Sequence, residues 1–211
     1  MKALKRLACT LIWSLPALTL ALLPAHAQSP EEIPLGSEMP AVSTQLSRVT
    51  GGQTTLGGLQ GSAGTVVVFW SNQCPWVEKY EARLVEIVNE YSGQGFGFVL
   101  INSNDPSAYP KEAAEAGAQR SSSANYPSSL VYFSDPNSEV ASAFGAQRTP
   151  HVYVFDENNT LSYVGAIDDS PGDAGNVSDQ YLRQALDALG GGSSVAVPKT
   201  KAFGCTIKYS S

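Results

Sequence analysis

From residue 41 onward apolar positions recur with two spacings, and each spacing predicts its own kind of element. Residues 65–70 (TVVVFW) and 96–102 (FGFVLIN) are near-continuous apolar runs rich in β-branched and aromatic side chains, the pattern of strands buried on both faces. Between them Val77, Tyr80, Leu84, Ile87, Val88 and Tyr91 recur mostly three and four apart, which predicts an amphipathic helix over residues 75–91. Pro75 suits the first helical position, where no amide donor is needed, and Gly93 and Gly95 end the helix. Short strands are predicted at residues 44–49 and 53–56, with Gly51-Gly52 as the hairpin turn. Downstream come an alanine-rich helix at 111–118, a strand at 130–133, a helix at 138–144 stopped by Gly145, and a strand at 151–155. A turn at 156–159, a returning strand at 161–166 and an amphipathic helix at 180–189 close the pattern. Ser121-Ser122-Ser123 reads as a solvated loop.

Strands alternating with helices predict an α/β three-layer sandwich covered on both faces. Its central sheet is mixed, mostly parallel, with the final hairpin adding antiparallel edges and an N-terminal hairpin as an extension. The domain proper spans residues 41–190, and residues 28–40, rich in Pro, Glu and Ser, form an extended lead-in. A glycine-serine stretch then opens a flexible linker and tail, residues 191–211, in which Phe203, Ile207 and Tyr209 are suited to dock on the domain.

The first 27 residues differ in kind. A basic start (Lys2, Lys5, Arg6), an apolar run from Leu7 to Leu23 interrupted by Ser14 and Pro16, and Ala25-His26-Ala27 match a cleaved export signal better than a membrane anchor. Cleavage there leaves 184 of the 211 residues and takes the formal charge from −6 to −9. An acidic chain with no Lys/Arg cluster is a poor candidate for nucleic acid or anionic membrane. The expectation is an exported protein, periplasmic in a Gram-negative bacterium, with no membrane attachment after cleavage.

Cleavage also discards Cys9 and leaves Cys74 and Cys205. Two thiols in an oxidising compartment allow one bridge but not a disulfide scaffold. Cys74 is the more informative: in FWSNQCPWVEKY it follows a buried strand and opens a helix. Helix N-termini lower cysteine pKa values, and the carboxyl edge of a parallel sheet is where open α/β folds place their sites. Glu78 opposes such activation and Lys79 favours it. Trp76 is either a substrate platform or a packing residue. Thr149-Pro150 directly precedes a buried strand, leaving room for a cis prolyl bond whose neighbouring backbone pairs with an extended substrate.

Taken together, FWSNQC, RTPHVYVFD and LSYVGAIDD resemble the thioredoxin fold. LGSEMP followed by TTLGGLQGSAGTVVVFW is similar to its redoxin branch, which includes peroxiredoxins and periplasmic thiol-disulfide oxidoreductases. NQCPWV, FGAQRTPHVYVFD, YVGAIDD and TKAFGCTIKY narrow the resemblance to exported peroxiredoxin-like proteins with a single active-loop cysteine, over residues 35–209. It implies a thioredoxin-like sandwich, Cys74 as nucleophile and Pro150 as the cis-proline; Trp76, Thr149 and Pro150 are the candidates to line a substrate. Val77 stands where two-cysteine relatives carry the resolving cysteine. Val67 and Ser71 stand where the peroxiredoxin signature has Pro and Thr, which weakens the case for hydroperoxide reduction.

With Val77 unable to resolve a mixed disulfide, Cys205 is the only other cysteine left after cleavage. Three readings stay open: a Cys74/Cys205 redox pair, a fixed or absent bridge in a non-catalytic binding module, and a monothiol site with an outside partner. The expected partners are a thiol or disulfide protein, or a small hydroperoxide, and an external thiol reductant. The chemistry requires no cofactor. His151 with two distant cysteines makes no zinc or copper set, and Asp168, Asp169 and Asp173 lack the spacing of a calcium loop.

Overall fold

The computed structural model describes residues 30–210; the expected export signal lies outside them. In chain order the elements are β1 (Gln45–Arg48), β2 (Gln53–Thr55), β3 (Gly64–Trp70), α1 (Pro75–Tyr91), β4 (Phe96–Asn102), α2 (Ala114–Ser123) and β5 (Leu130–Ser134). There follow α3 (Glu139–Phe144), β6 (Arg148–Thr149), β7 (His151–Asp156), β8 (Leu161–Gly165), α4 (Tyr181–Gly190) and β9 (Cys205–Thr206). Seven strands form one sheet in the order β2-β1-β5-β4-β3-β7-β8, and β6 pairs with β9 in a separate two-stranded ribbon.

The sheet is mixed, but less parallel than the alternation of elements predicts. β3–β4 and β4–β5 run parallel, whereas β1–β2, β1–β5, β3–β7 and β7–β8 are antiparallel. The short α3 explains the reversal: its six residues span about 9 Å, too little to carry the chain back along β5. β7 therefore starts from the end of the sheet where β5 stopped.

Alternation along each central strand divides the core in two. Val66, Val68 and Trp70 of β3 and Phe98 and Leu100 of β4 face one layer, with Tyr80, Leu84 and Val88 of α1 and Leu182 and Leu186 of α4. Val67 and Phe69 of β3 and Val99 and Ile101 of β4 face the other, with Val140 and Phe144 of α3, Leu46 of the hairpin and Met39 of the lead-in. The helical stripe on α1 is thus the seam of the first layer. Truncating Leu84 there, at 1% exposure, costs about 2–5 kcal/mol.

Residues 110–123 depart from expectation. A single 3₁₀ turn at Pro110–Glu112 precedes α2, which runs on through Ser121, Ser122 and Ser123 instead of ending before them. Serine is only a few tenths of a kcal/mol poorer than the neighbouring helix formers, so the last turn persists. Gly145 ends α3 at φ 65, and the lead-in crosses so close that a side chain there would meet the Glu31 carbonyl at 1.9 Å.

The tail is laid across the end of the sheet. Val164 donates to the Pro198 carbonyl and Thr200 donates back to the Val164 carbonyl, each at 3.0 Å. Beyond β9, Ile207 is buried in the second layer, and Tyr209 donates to the Ala146 carbonyl.

Candidate active site

β3 is buried along its whole length, so its carboxyl end delivers the following loop to a fixed point. Residues 71–73 lead to Cys74, the N-cap of α1, whose backbone is extended at φ −70° and ψ 120°. Pro75 takes the first helical position. The loop's shape is set from beneath by a carboxyl group that nothing in the sequence advertises. Glu112, itself buried, accepts the Ser71 hydroxyl at 2.6 Å through Oε1, and the Asn72 amide and Asn102 Nδ2 at 2.8 Å through Oε2. With its proton committed to Glu112, Ser71 Oγ accepts the amides of Gln73 and Cys74 at 3.1 and 3.0 Å. Arg120 Nη1 holds the Asn72 carbonyl at 2.9 Å, and Tyr132 donates to Asn72 Oδ1 at 2.7 Å.

Across from the cysteine the Thr149–Pro150 bond is cis. Cys74 Sγ donates to the Thr149 carbonyl oxygen at 3.1 Å. On the far side of that same residue lies the tail: β6 and β9 are antiparallel, with Thr149 opposite Cys205 and Arg148 opposite Thr206. The structure therefore brings together Cys74, Cys205, Thr149 and Pro150, residues 131 apart at the extreme. Both cysteines are free thiols, and Cys205 packs against the core layer that contains Cys74. Burial first, then the neighbouring Cys74, pushes the Cys205 pKa up to about 12. Cys205 thus holds its proton at neutral pH.

Trp76, considered as a substrate platform or a packing residue, packs on the tail beside a cavity. It is half-buried, packs edge-on against Phe203 of the tail at 4.7 Å between ring centroids, and lines a cavity of about 450 Å³ with Phe203 and Tyr181. Cys74 is 3% exposed, and Cys205 of the tail packs against the core layer that contains it.

Other candidates are drawn elsewhere. Lys79 points away, toward the Gly172 carbonyl at 3.4 Å. His151 is 2% exposed with both nitrogens engaged: Nδ1 accepts the Gln147 amide at 3.4 Å, so the proton sits on Nε2 and faces Glu32 at 3.0 Å. The same Glu32 carboxylate pairs with Lys199 of the tail at 2.7 Å. The His151 hydrogen bond is the main reason its pKa is lowered to about 2. Asp168 is buried against Arg83, while Asp169 and Asp173 cap local backbone amides. Among the described residues no group of three or more His, Cys, Asp or Glu side chains is placed to hold a metal. Val77 is fully buried in the first core layer.

A cysteine at a helix N-terminus facing a cis-prolyl bond, at the carboxyl end of a central strand in a mixed sheet, defines a thioredoxin-like thiol protein. More narrowly, the chain belongs to the redoxin family, whose model, described as Redoxin, matches residues 34–181. This places it among thiol oxidoreductase-like proteins. The structure of a hypothetical protein from Sinorhizobium meliloti 1021 is 33% identical, covers 86% of this chain and 97% of its own, and superposes with a TM-score of 0.79. An uncharacterized conserved protein from Geobacillus kaustophilus is 36% identical over 84% of this chain and 93% of its own, with a TM-score of 0.78. The peroxidoxin BcpB of Mycobacterium tuberculosis, 18% identical over 74% of this chain and 95% of its own at a TM-score of 0.55, shares the fold. No curated protein matches the chain.

Proposed function

We propose that the protein is an exported thiol-disulfide oxidoreductase in which Cys74 is the nucleophile and Cys205 the resolving cysteine. One observation carries this reading: β9 sets Cys205 opposite Thr149, the residue whose carbonyl holds Cys74 Sγ. In the first step the Cys74 thiolate attacks a substrate disulfide, a Cys74–substrate bond forms, and the other substrate sulfur leaves as a thiol after taking a proton. Burial is the first cause that holds the Cys205 thiol protonated, so it ionises once the tail that carries it loosens toward solvent. Cys205 then loses its proton and attacks the Cys74 sulfur. The second substrate thiol leaves, and the Cys74–Cys205 disulfide remains for an external thiol reductant.

The Ser71 hydroxyl favours disulfide exchange over hydroperoxide reduction. Its proton goes to Glu112 and its oxygen already accepts two amides, so it has nothing left to offer a peroxide oxygen. A second reading, a non-catalytic module with an inert thiol, draws support from the 3% exposure of Cys74. Cys205 itself, however, packs against the core layer that contains Cys74.

Thiol titration across a glutathione redox series separates the two. A Cys74–Cys205 potential well above about −300 mV, the upper edge of structural disulfides, supports the redox pair, and a lower one supports a pinned tail. A Cys74→Ser variant that still reduces disulfides would end the nucleophile assignment.

A further inference from the structure

We propose that residues 201–206 occupy the path of the substrate, and that the site takes an extended polypeptide segment with an aromatic residue two places before its reactive cysteine and glycine immediately before it. The proposal rests on Cys74 acting as nucleophile and adds what that nucleophile accepts. Three independent contacts describe the path. The tail lies antiparallel to β6 with its own cysteine opposite Thr149, in the manner of a peptide added to an exposed backbone edge. Two residues earlier, Phe203 sets its ring edge-on to Trp76 at 4.7 Å while remaining 44% exposed, so it seals a subsite without being part of the core. Between them, a Cβ at Gly204 would stand 2.0 Å from the Thr149 carbonyl oxygen and 2.6 Å from its carbon. Those are backbone atoms and cannot swing aside, so only glycine passes at this point.

The segment is also built to leave. It is held at its two ends, by Thr200 on Val164 and Ala166 and by Ile207 on the Gln147 carbonyl and in the core. β9 itself is only two residues long. Residues 201–206 can therefore bulge away from β6 as a flap while both anchors stay in place. An incoming chain replaces the Thr149 pairing and the Phe203 ring. Its exchange leaves it joined to Cys74, and the flap's return brings Cys205 back to the mixed disulfide. The flap is both the occluding segment and the resolving arm.

The test uses the chain lacking residues 1–27, carrying Cys205→Ser to stop resolution and Gly204→Val to expel the flap. It is mixed with peptides whose cysteine is activated as a thionitrobenzoate disulfide. Attack by Cys74 forms the Cys74–peptide disulfide and releases coloured thionitrobenzoate. Ala-Phe-Gly-Cys-Thr-Ile is expected to react about 2- to 12-fold faster than Ala-Ala-Gly-Cys-Thr-Ile, an aromatic contact's worth, and faster still than Ala-Phe-Val-Cys-Thr-Ile. The activated disulfide of free cysteine measures the intrinsic rate. Equal rates for the three peptides, with free cysteine reacting normally, would overturn the proposal and leave the nucleophile standing. No reaction with any of the four would overturn the nucleophile and the proposal together. Cys205→Ser with Phe203→Ala, which leaves the tail backbone unchanged, must give the same ranking; a different ranking counts against the proposal.

Discussion

Replacing Glu112 with Gln changes one atom in the buried network under the cysteine loop, and its cost can be worked from the contacts. The carboxyl group accepts three hydrogen bonds and donates none: Ser71 Oγ at 2.6 Å on one oxygen, Asn72 N and Asn102 Nδ2 at 2.8 Å on the other. The least costly Gln orientation keeps its oxygen for the two nitrogens and turns its NH2 toward Ser71. Ser71 Oγ is already filled by the amides of Gln73 and Cys74, so its hydrogen and the new NH2 face each other without an acceptor. Leaving such buried donors unmade costs about 1–3 kcal/mol. For a chain of this size each kcal/mol moves the melting temperature by about 2–4 °C, so a decrease of about 2–12 °C is expected. Glu112→Ala, which strands all three donors, should cost more. The measurement is thermal unfolding followed by far-ultraviolet circular dichroism, with alkylation of Cys74 as a second readout, because the Cys74 amide hangs on Ser71. A Glu112→Gln melting temperature within about 1 °C of the parent would refute the reasoning.

Three further outcomes follow from the same contacts. Glu32 ionises far below its usual range, at about 2 against 4.5, so its stabilisation is complete above pH 4.5 and lost as pH falls toward 2. The full shift is worth about 3 kcal/mol. Lys199 is largely exposed and screened, so the gap in urea stability between parent and Glu32→Gln should shrink by about 1–2 kcal/mol from pH 6 to pH 2.5; an unchanged gap would contradict the His151 pairing. Thr149 Oγ1 is buried without a partner, so Thr149→Val should leave the melting temperature equal or higher; a fall of several degrees would mean the hydroxyl is satisfied in solution. Ile207→Ala removes the anchor below the flap at a cost of about 2–5 kcal/mol and should speed iodoacetamide labelling of Cys74 about 10-fold or more. Unchanged labelling would show that the tail does not guard the thiol.

Much of this arrangement was legible in the chain because it is carried by strong, local patterns. The helix at 75–91 and the strand at 96–102 were read to the residue, since long apolar periodicity and Pro75 mark their limits unambiguously. Cys74 and the Thr149-Pro150 pair stood out because each sits at a strand end. What escaped depends on distance. Glu112 lies in PKEAAEAG, a stretch indistinguishable from a solvated helix until the fold slides it beneath Ser71. Glu32 sits in a polar lead-in, and only the tertiary fold sets it against His151 and Lys199. β6 and β9 are two residues each and carry no periodicity at all; their pairing exists because the tail's anchors hold them in register. The serines at 121–123 misled for the opposite reason, being a composition signal overridden by helix propagation.

The most direct test of the account is to oxidise the reduced protein, lacking residues 1–27, with one equivalent of a disulfide substrate and map the products by mass spectrometry. The account predicts a Cys74–Cys205 disulfide with both substrate thiols released, and a Cys74–substrate mixed disulfide accumulating only when Cys205 is replaced by Ser. A parent protein that stops at the mixed disulfide, with Cys205 still free, would contradict it.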